Sequence, residues 1–161
     1  MKVLFRALAP LTIVVLACPL ESFGQTPQPL TQADFTLGDL TENVDSAAVR
    51  ARFGRPDSIF VEHHPFDVDA KLVTWVYPRL TLSFFSTDHV VGISTRNPHV
   101  STRRGLRVGD SIARLRQLYG EPTASYQDDL DYADSGEHLN VIRVTVRQGH
   151  VAEIYVGWIL D

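Results

Sequence analysis

Six histidines, His63, His64, His89, His99, His138 and His150, hold most of the reactive potential in this chain, because imidazole both ligates metals and titrates near neutrality. A metal site needs ligands that share one face or converge from several elements. On a strand, His63 and His64 point to opposite faces. His89 and His150 each follow a turn at matching places, and no spacing fits a known ligand motif. Solvated turns and strand ends are the expected places for these rings. The acidic run DDLDYADSGE offers Asp128, Asp129, Asp131, Asp134 and Glu137 to calcium. Counted as an EF-hand from Asp129, it has Asp134 where glycine is required, and Gly136 comes too late. A solvated loop or strand edge is expected there, where charge also discourages edge pairing. Ser135 has Asp134 and His138 near it in sequence, but only geometry makes a triad. No nucleophile elbow, phosphate loop, zinc-protease or dinucleotide motif occurs. The expectation is a protein that is not an enzyme, with no catalytic residue, no metal ligand and no cofactor.

Aromatic and arginine side chains are the other informative set. In KLVTWVY, Val73, Trp75 and Tyr77 share one face of a strand, while Leu72, Thr74 and Val76 share the other. Both faces carry bulk. One reading makes Trp75 and Trp158 core residues, since large aromatics dominate cores. The other places Trp75, Tyr77, Tyr126, Tyr132, Tyr155 and Trp158 on an open sheet face that binds a partner, because Trp, Tyr and Arg anchor interfaces. Arg103, Arg104, Arg107, Arg114 and Arg116 form a basic stretch suited to a solvated helix face or to an acidic partner.

The elements that must position these residues are legible from periodicity. Residues 45–54 and 108–120 have helical spacing, with Asp45 or Ser46 and Asp110 or Ser111 as N-caps. VRARFGRP and LRQLYGEP end these helices alike: an Arg three residues before an aromatic, then Gly, any residue and Pro. Gly frees the backbone and Pro fixes the turn that follows. Strands are predicted over 57–64, 71–77, 80–86, 90–95, 124–132, 137–147 and 150–158, with RQGH as a hairpin turn. The expected fold class is α+β. It is a tandem duplication of a short helix plus an antiparallel three- to four-stranded sheet, with both helices on one sheet face. The predicted organisation is a signal peptide (1–24), a flexible leader (25–33), a first helix-sheet repeat (34–96), a linker (97–105) and a second repeat (106–161).

GDSIARLRQLYGEP resembles the helix-and-turn motif of small outer-membrane lipoproteins of the BamE (SmpA/OmlA) type. In that family a Gly opens the helix and Gly-x-Pro closes it before a three-stranded sheet. Gly109 to Gly120 has the family spacing, and Asn43 to Gly54 repeats it with Asn in the opening place. Trp75 and Tyr77 match a W-x-Y pattern. The tandem arrangement is similar to the β-lactamase inhibitory protein type, though it lacks that type's cysteines. Over about residues 34–158, this resemblance implies a concave sheet and a protein-binding style.

Export is read from the N-terminus. Lys2 and Arg6 precede the apolar run LAPLTIVVLAC, and Ser22 and Gly24 stand at the small-residue positions of a cleavage site. Cleavage after Gly24 competes with a lipobox reading of VLAC, in which Cys18 is lipidated and tethers the chain to a membrane. The location expected is periplasmic or extracellular. The formal charge is −4 for the whole chain. Loss of two cations and one acid with residues 1–24 takes it to about −5, which disfavours nucleic acid and anionic lipid as partners. Cys18 is the single cysteine, so the mature domain has no disulfide framework. The expected function is that of a non-enzymatic envelope protein that binds another envelope or secreted protein on its open sheet face. The alternative is a small-ligand or peptidoglycan-fragment binder using a groove between the repeats.

Overall fold

Two short helices begin and end by the same local chemistry. α1 (Ser46–Phe53) is capped by Asp45, whose carboxylate accepts from the Ala48 N–H at 2.6 Å. α2 (Ile112–Tyr119) is capped by Ser111, which accepts from the Arg114 N–H at 3.2 Å. Each cap satisfies a donor that the first helical turn leaves unpaired. Gly54 and Gly120 stop the helices at φ 77° and 79°, where a side chain would be strained. Their N–H groups donate to the Arg50 and Arg116 carbonyls.

The computed structural model describes residues 27–64, 67–85, 89–134 and 140–158. The expected signal peptide, Cys18, Ser135, Glu137 and His138 lie outside them. A 3-10 turn at Gln32–Asp34 leads into a small hairpin, β1 (Thr36–Leu37) with β2 (Leu40–Thr41). Between the helices run β3 (Ser58–His64), β4 (Asp67–Val76), β5 (Thr81–Phe85) and β6 (Val90–Thr95). After α2 come β7 (Ala124–Tyr126), β8 (Asp129–Ala133), β9 (Asn140–Arg147) and β10 (His150–Trp158). The single strand expected over 124–132 is in fact the β7–β8 hairpin, turned at Gln127 with φ 52°.

Strands β3 to β10 form one antiparallel sheet in the order β3-β4-β5-β6-β10-β9-β8-β7. This corrects the expected fold class. The protein is mostly β, with one continuous eight-stranded sheet and two short helices, and is not a tandem of helix-plus-sheet repeats. β6 and β10 join the halves by direct pairing, with Ile154 opposite Thr95 and Gly157 opposite Gly92. Pairing of these strands satisfies backbone groups that two separate sheets would leave as exposed edges.

One face of the sheet carries the core. Ile59, Trp75, Leu82, Ile93, Val156, Ile142 and Tyr132 stand opposite one another on successive strands. Val49 of α1 and Leu115 and Tyr119 of α2 close over the same apolar cluster. Arg50 lies 4.7 Å over the Trp75 ring, and the Tyr119 and Tyr132 rings are 5.4 Å apart. These cation–ring and tilted ring contacts settle both helices on one side.

Candidate functional site

The two-residue period of the strands that builds the core also builds a second face, which the helices do not cover. Across it run Val76, Thr81, Ser94, Tyr155, Arg143 and Asp131, each opposite the next. Tyr155 is half-buried at its centre. Its ring lies over the paired glycines, and a Cβ on Gly92 would come within 2.6 Å of the phenolic oxygen. The hydroxyl donates to the Trp158 carbonyl at 2.5 Å. Burial pushes the Tyr155 hydroxyl up to about 12, so it remains a neutral donor at physiological pH.

Charged pairs lie to one side of this ring. Arg143 donates through Nε and Nη2 to the two Asp131 oxygens, both at 2.8 Å, directly across the β8–β9 pair. Thr145 donates to Asp129 at 2.6 Å, and Arg96 to Glu153 at 2.8 Å. A bidentate Arg–carboxylate pair holds both partners in a fixed plane. On the β3–β5 side the face turns apolar, with Phe60 exposed and Leu72, Val76 and Phe85 half-buried.

The six aromatics expected on an open face divide. Trp75, Tyr77 and Tyr132 are 6%, 7% and 2% exposed and belong to the core beneath the helices, which corrects their placement. Tyr77 donates to the Gly54 carbonyl at 3.2 Å, so it also holds the end of α1. Periodicity groups residues by face but does not say which face the helices take, because both carried bulk. Tyr155 lies on the helix-free face, Tyr126 is 75% exposed at its β7 edge, and Trp158 is 40% exposed at the end of β10.

The remaining candidates are engaged locally. His89 faces the Asn43 carbonyl at 3.1 Å and bridges to Asp45, the α1 cap; His150 bridges to Ser111, the α2 cap. Among the described residues, no group of three or more His, Cys, Asp or Glu side chains is placed to hold a metal. Within the basic stretch, Arg104 turns inward. It forks onto both Asp34 oxygens at 2.8 and 2.9 Å and donates to the carbonyls of Gln28, Pro29 and Leu118. Residues 28–33, part of the stretch read from composition as leader (25–33), are thereby tied together with Asp34 to α2. The Arg104 hydrogen bond is the main cause that lowers Asp34 to about 2. A cleft of about 540 Å³ opens beside the end of α1, lined in part by Arg52, Phe53, Tyr77, His99 and Ser101.

Sequence reasoning missed three features. The Gly92–Gly157 seat had a usable signal, since glycine inside a strand marks close approach of another group. The Arg143–Asp131 pair needed the register. The polar cluster of exposed Gln32 with buried Glu42 and Asn140 had no signal, because its members are 98 or more residues apart except for Gln32 and Glu42.

No family model matches the sequence, and no curated protein does. Solved structures similar to this chain include a cysteine-rich secretory protein of Staphylococcus aureus subsp. aureus Mu50. It is 10% identical with a TM-score of 0.45, covering 72% of this chain and 44% of that one. Another is an extracellular protein containing an SCP domain from Bacillus anthracis str. Ames. There the identity is 8% and the TM-score 0.47, covering 91% of this chain and 51% of that one. This chain spans about half the length of those proteins. The resemblance to BamE-type lipoproteins and to the tandem β-lactamase inhibitory protein type is not upheld: no family model matches the sequence, and one continuous eight-stranded sheet stands where tandem helix-plus-sheet repeats were expected. The motifs behind that resemblance were a capped helix and a Gly-x-Pro stop. Any short helix turning back onto a sheet needs them, so they report local geometry rather than kinship.

Proposed function

We propose that this is an exported, non-enzymatic module that binds another protein on its helix-free sheet face. The observation that carries the reading is the Tyr155 ring, seated across Gly92 and Gly157 at the centre of that face, beside the fixed Arg143–Asp131 pair. A half-buried aromatic already held in place loses little freedom on binding, and Tyr and Arg are frequent anchors. Export is supported by the N-terminal signal, and the partner is then another envelope or secreted protein. The test is a C-terminal tag at Asp161, expression in the native host, cross-linking and gentle recovery. A stoichiometric protein is expected with the natural chain and is lost with Tyr126→Ala combined with Tyr155→Ala. Recovery of the chain alone under every condition overturns the reading.

The cleft beside α1 favours a second reading, in which a small ligand or peptidoglycan fragment binds there. Saturable quenching of Tyr77 fluorescence by muropeptides, abolished by Arg52→Ala, is its expected signature; no change on titration rejects it.

A further inference from the structure

The two outer strands of the sheet differ sharply. β7 at one edge is three residues long, whereas β3 at the other spans seven. β3 also presents Ile59, Phe60 and Val61 at 49%, 56% and 57% exposure. It contains no Lys or Pro, the residues that usually blunt such an edge. An edge strand also directs alternate N–H and C=O groups away from its neighbour, ready to pair. We propose that β3 pairs with β3 of a second copy of this chain, antiparallel about a twofold axis at Phe60.

The occupant is a second copy because the strand is complementary to itself in one register. With the axis at Phe60, Phe60 meets Phe60, Ile59 meets Val61, Ser58 meets Glu62, and Asp57 meets His63. Apolar side chains face apolar ones, and an acid faces an imidazole at each end. Moving the axis to Val61 sets Phe60 against Glu62 and Ile59 against His63. Moving it to Ile59 sets Val61 against Asp57. An axis between two residues pairs opposite faces of the sheet. Only the Phe60 axis matches both chemistry and face. It also extends the core row, since Ile59 already stands opposite Trp75 and Val61 opposite Val73. The product is a closed, isologous dimer with its helices on one side. The edge is separate from the centre of the helix-free face, so this inference stands independently of the function proposed above.

Sedimentation equilibrium of the secreted chain over a wide concentration range tests it. A reversible doubling of mass is expected. Phe60→Lys places two ammonium groups opposite each other and gives a monomer with unchanged circular dichroism, whose unfolding midpoint equals that of the natural chain diluted until it is monomeric. Asp57→His weakens self-association about fivefold, and adding His63→Asp restores it. A monomer at every concentration overturns the proposal, as does a dimer indifferent to Phe60→Lys. Failure of the double substitution to restore affinity overturns the register. A monomer that cross-links through Val61 to a strand of another protein replaces the second copy with that partner.

Discussion

The Tyr155 ring covers Gly92 so closely that the smallest side chain on Gly92 would collide with it. Two strands from distant parts of the chain, β6 and β10, meet through this contact and through their hydrogen-bonded register. A tyrosine is thus set on the helix-free face at the place where the halves of the sheet join.

Gly92→Ala is expected to lift the Tyr155 ring and destabilise the fold by about 1–3 kcal/mol, the usual cost of overpacking. Tyr155→Phe keeps the ring and loses only the bond to Trp158, for about 1 kcal/mol. Urea unfolding of the two variants checks the order. An unfolding midpoint for Gly92→Ala equal to that of the natural protein means the ring is not seated there.

Arg104→Ala is expected to cost about 3 kcal/mol, because it leaves the buried Asp34 carboxylate without its cation. It also removes the donors that hold the Gln28 and Pro29 carbonyls. Limited proteolysis will then cut within 28–34 while the sheet remains protected. Resistance equal to the natural chain refutes the tie.

Acid should release the same segment. Asp34 is held at about 2, below its ordinary 3.8, chiefly by the Arg104 hydrogen bond and against the opposing effect of burial. A lowered carboxylate stabilises the fold above its ordinary value and loses that contribution as pH falls from about 4 through about 2, in all about 2 kcal/mol. The stability of Asp34→Asn, followed by denaturant unfolding, should therefore vary less with pH in that window. Parallel curves contradict the assignment.

Glu42 is 8% exposed and receives only amide donors, from Gln32 at 2.9 Å and Asn140 at 3.1 Å. Its second oxygen and the Asn140 carbonyl oxygen have no partner among the described residues. Glu42→Gln removes a buried acid and supplies an N–H for the Asn140 oxygen, so it should stabilise by about 1 kcal/mol. A lower unfolding temperature for this variant means the carboxylate has a use that the amide does not replace.

Much of the local structure was readable before any contact was known. The helix stops followed from Gly54 and Gly120, and each N-cap was narrowed to two neighbours, Asp45 or Ser46 and Asp110 or Ser111, because caps and left-handed stops act within a few residues. Strands followed from alternation, and the grouping of Trp75 with Tyr77 on one face from the same period. The 124–132 strand failed at Gln127, whose positive φ is unusual for a residue that is not Gly, Asn or Asp. A period of two fixes relative orientation but leaves open which side is inside, and so Trp75, Tyr77 and Tyr132 were open to two readings.

The amino-acid order alone determined where the helices stop and most of the strand segments, since these depend on neighbours in sequence, and its single cysteine, Cys18, leaves no second thiol within the chain for a disulfide. The tertiary structure alone decided that the sheet is continuous, that Tyr155 rests on Gly92, and that Arg104 reaches back to Asp34. Pairing of β6 with β10 brings together residues about sixty positions apart, and the Arg104 contact spans seventy. Long-range contacts like these depend on shape, register and exclusion of water across the whole fold. No local pattern carries that information.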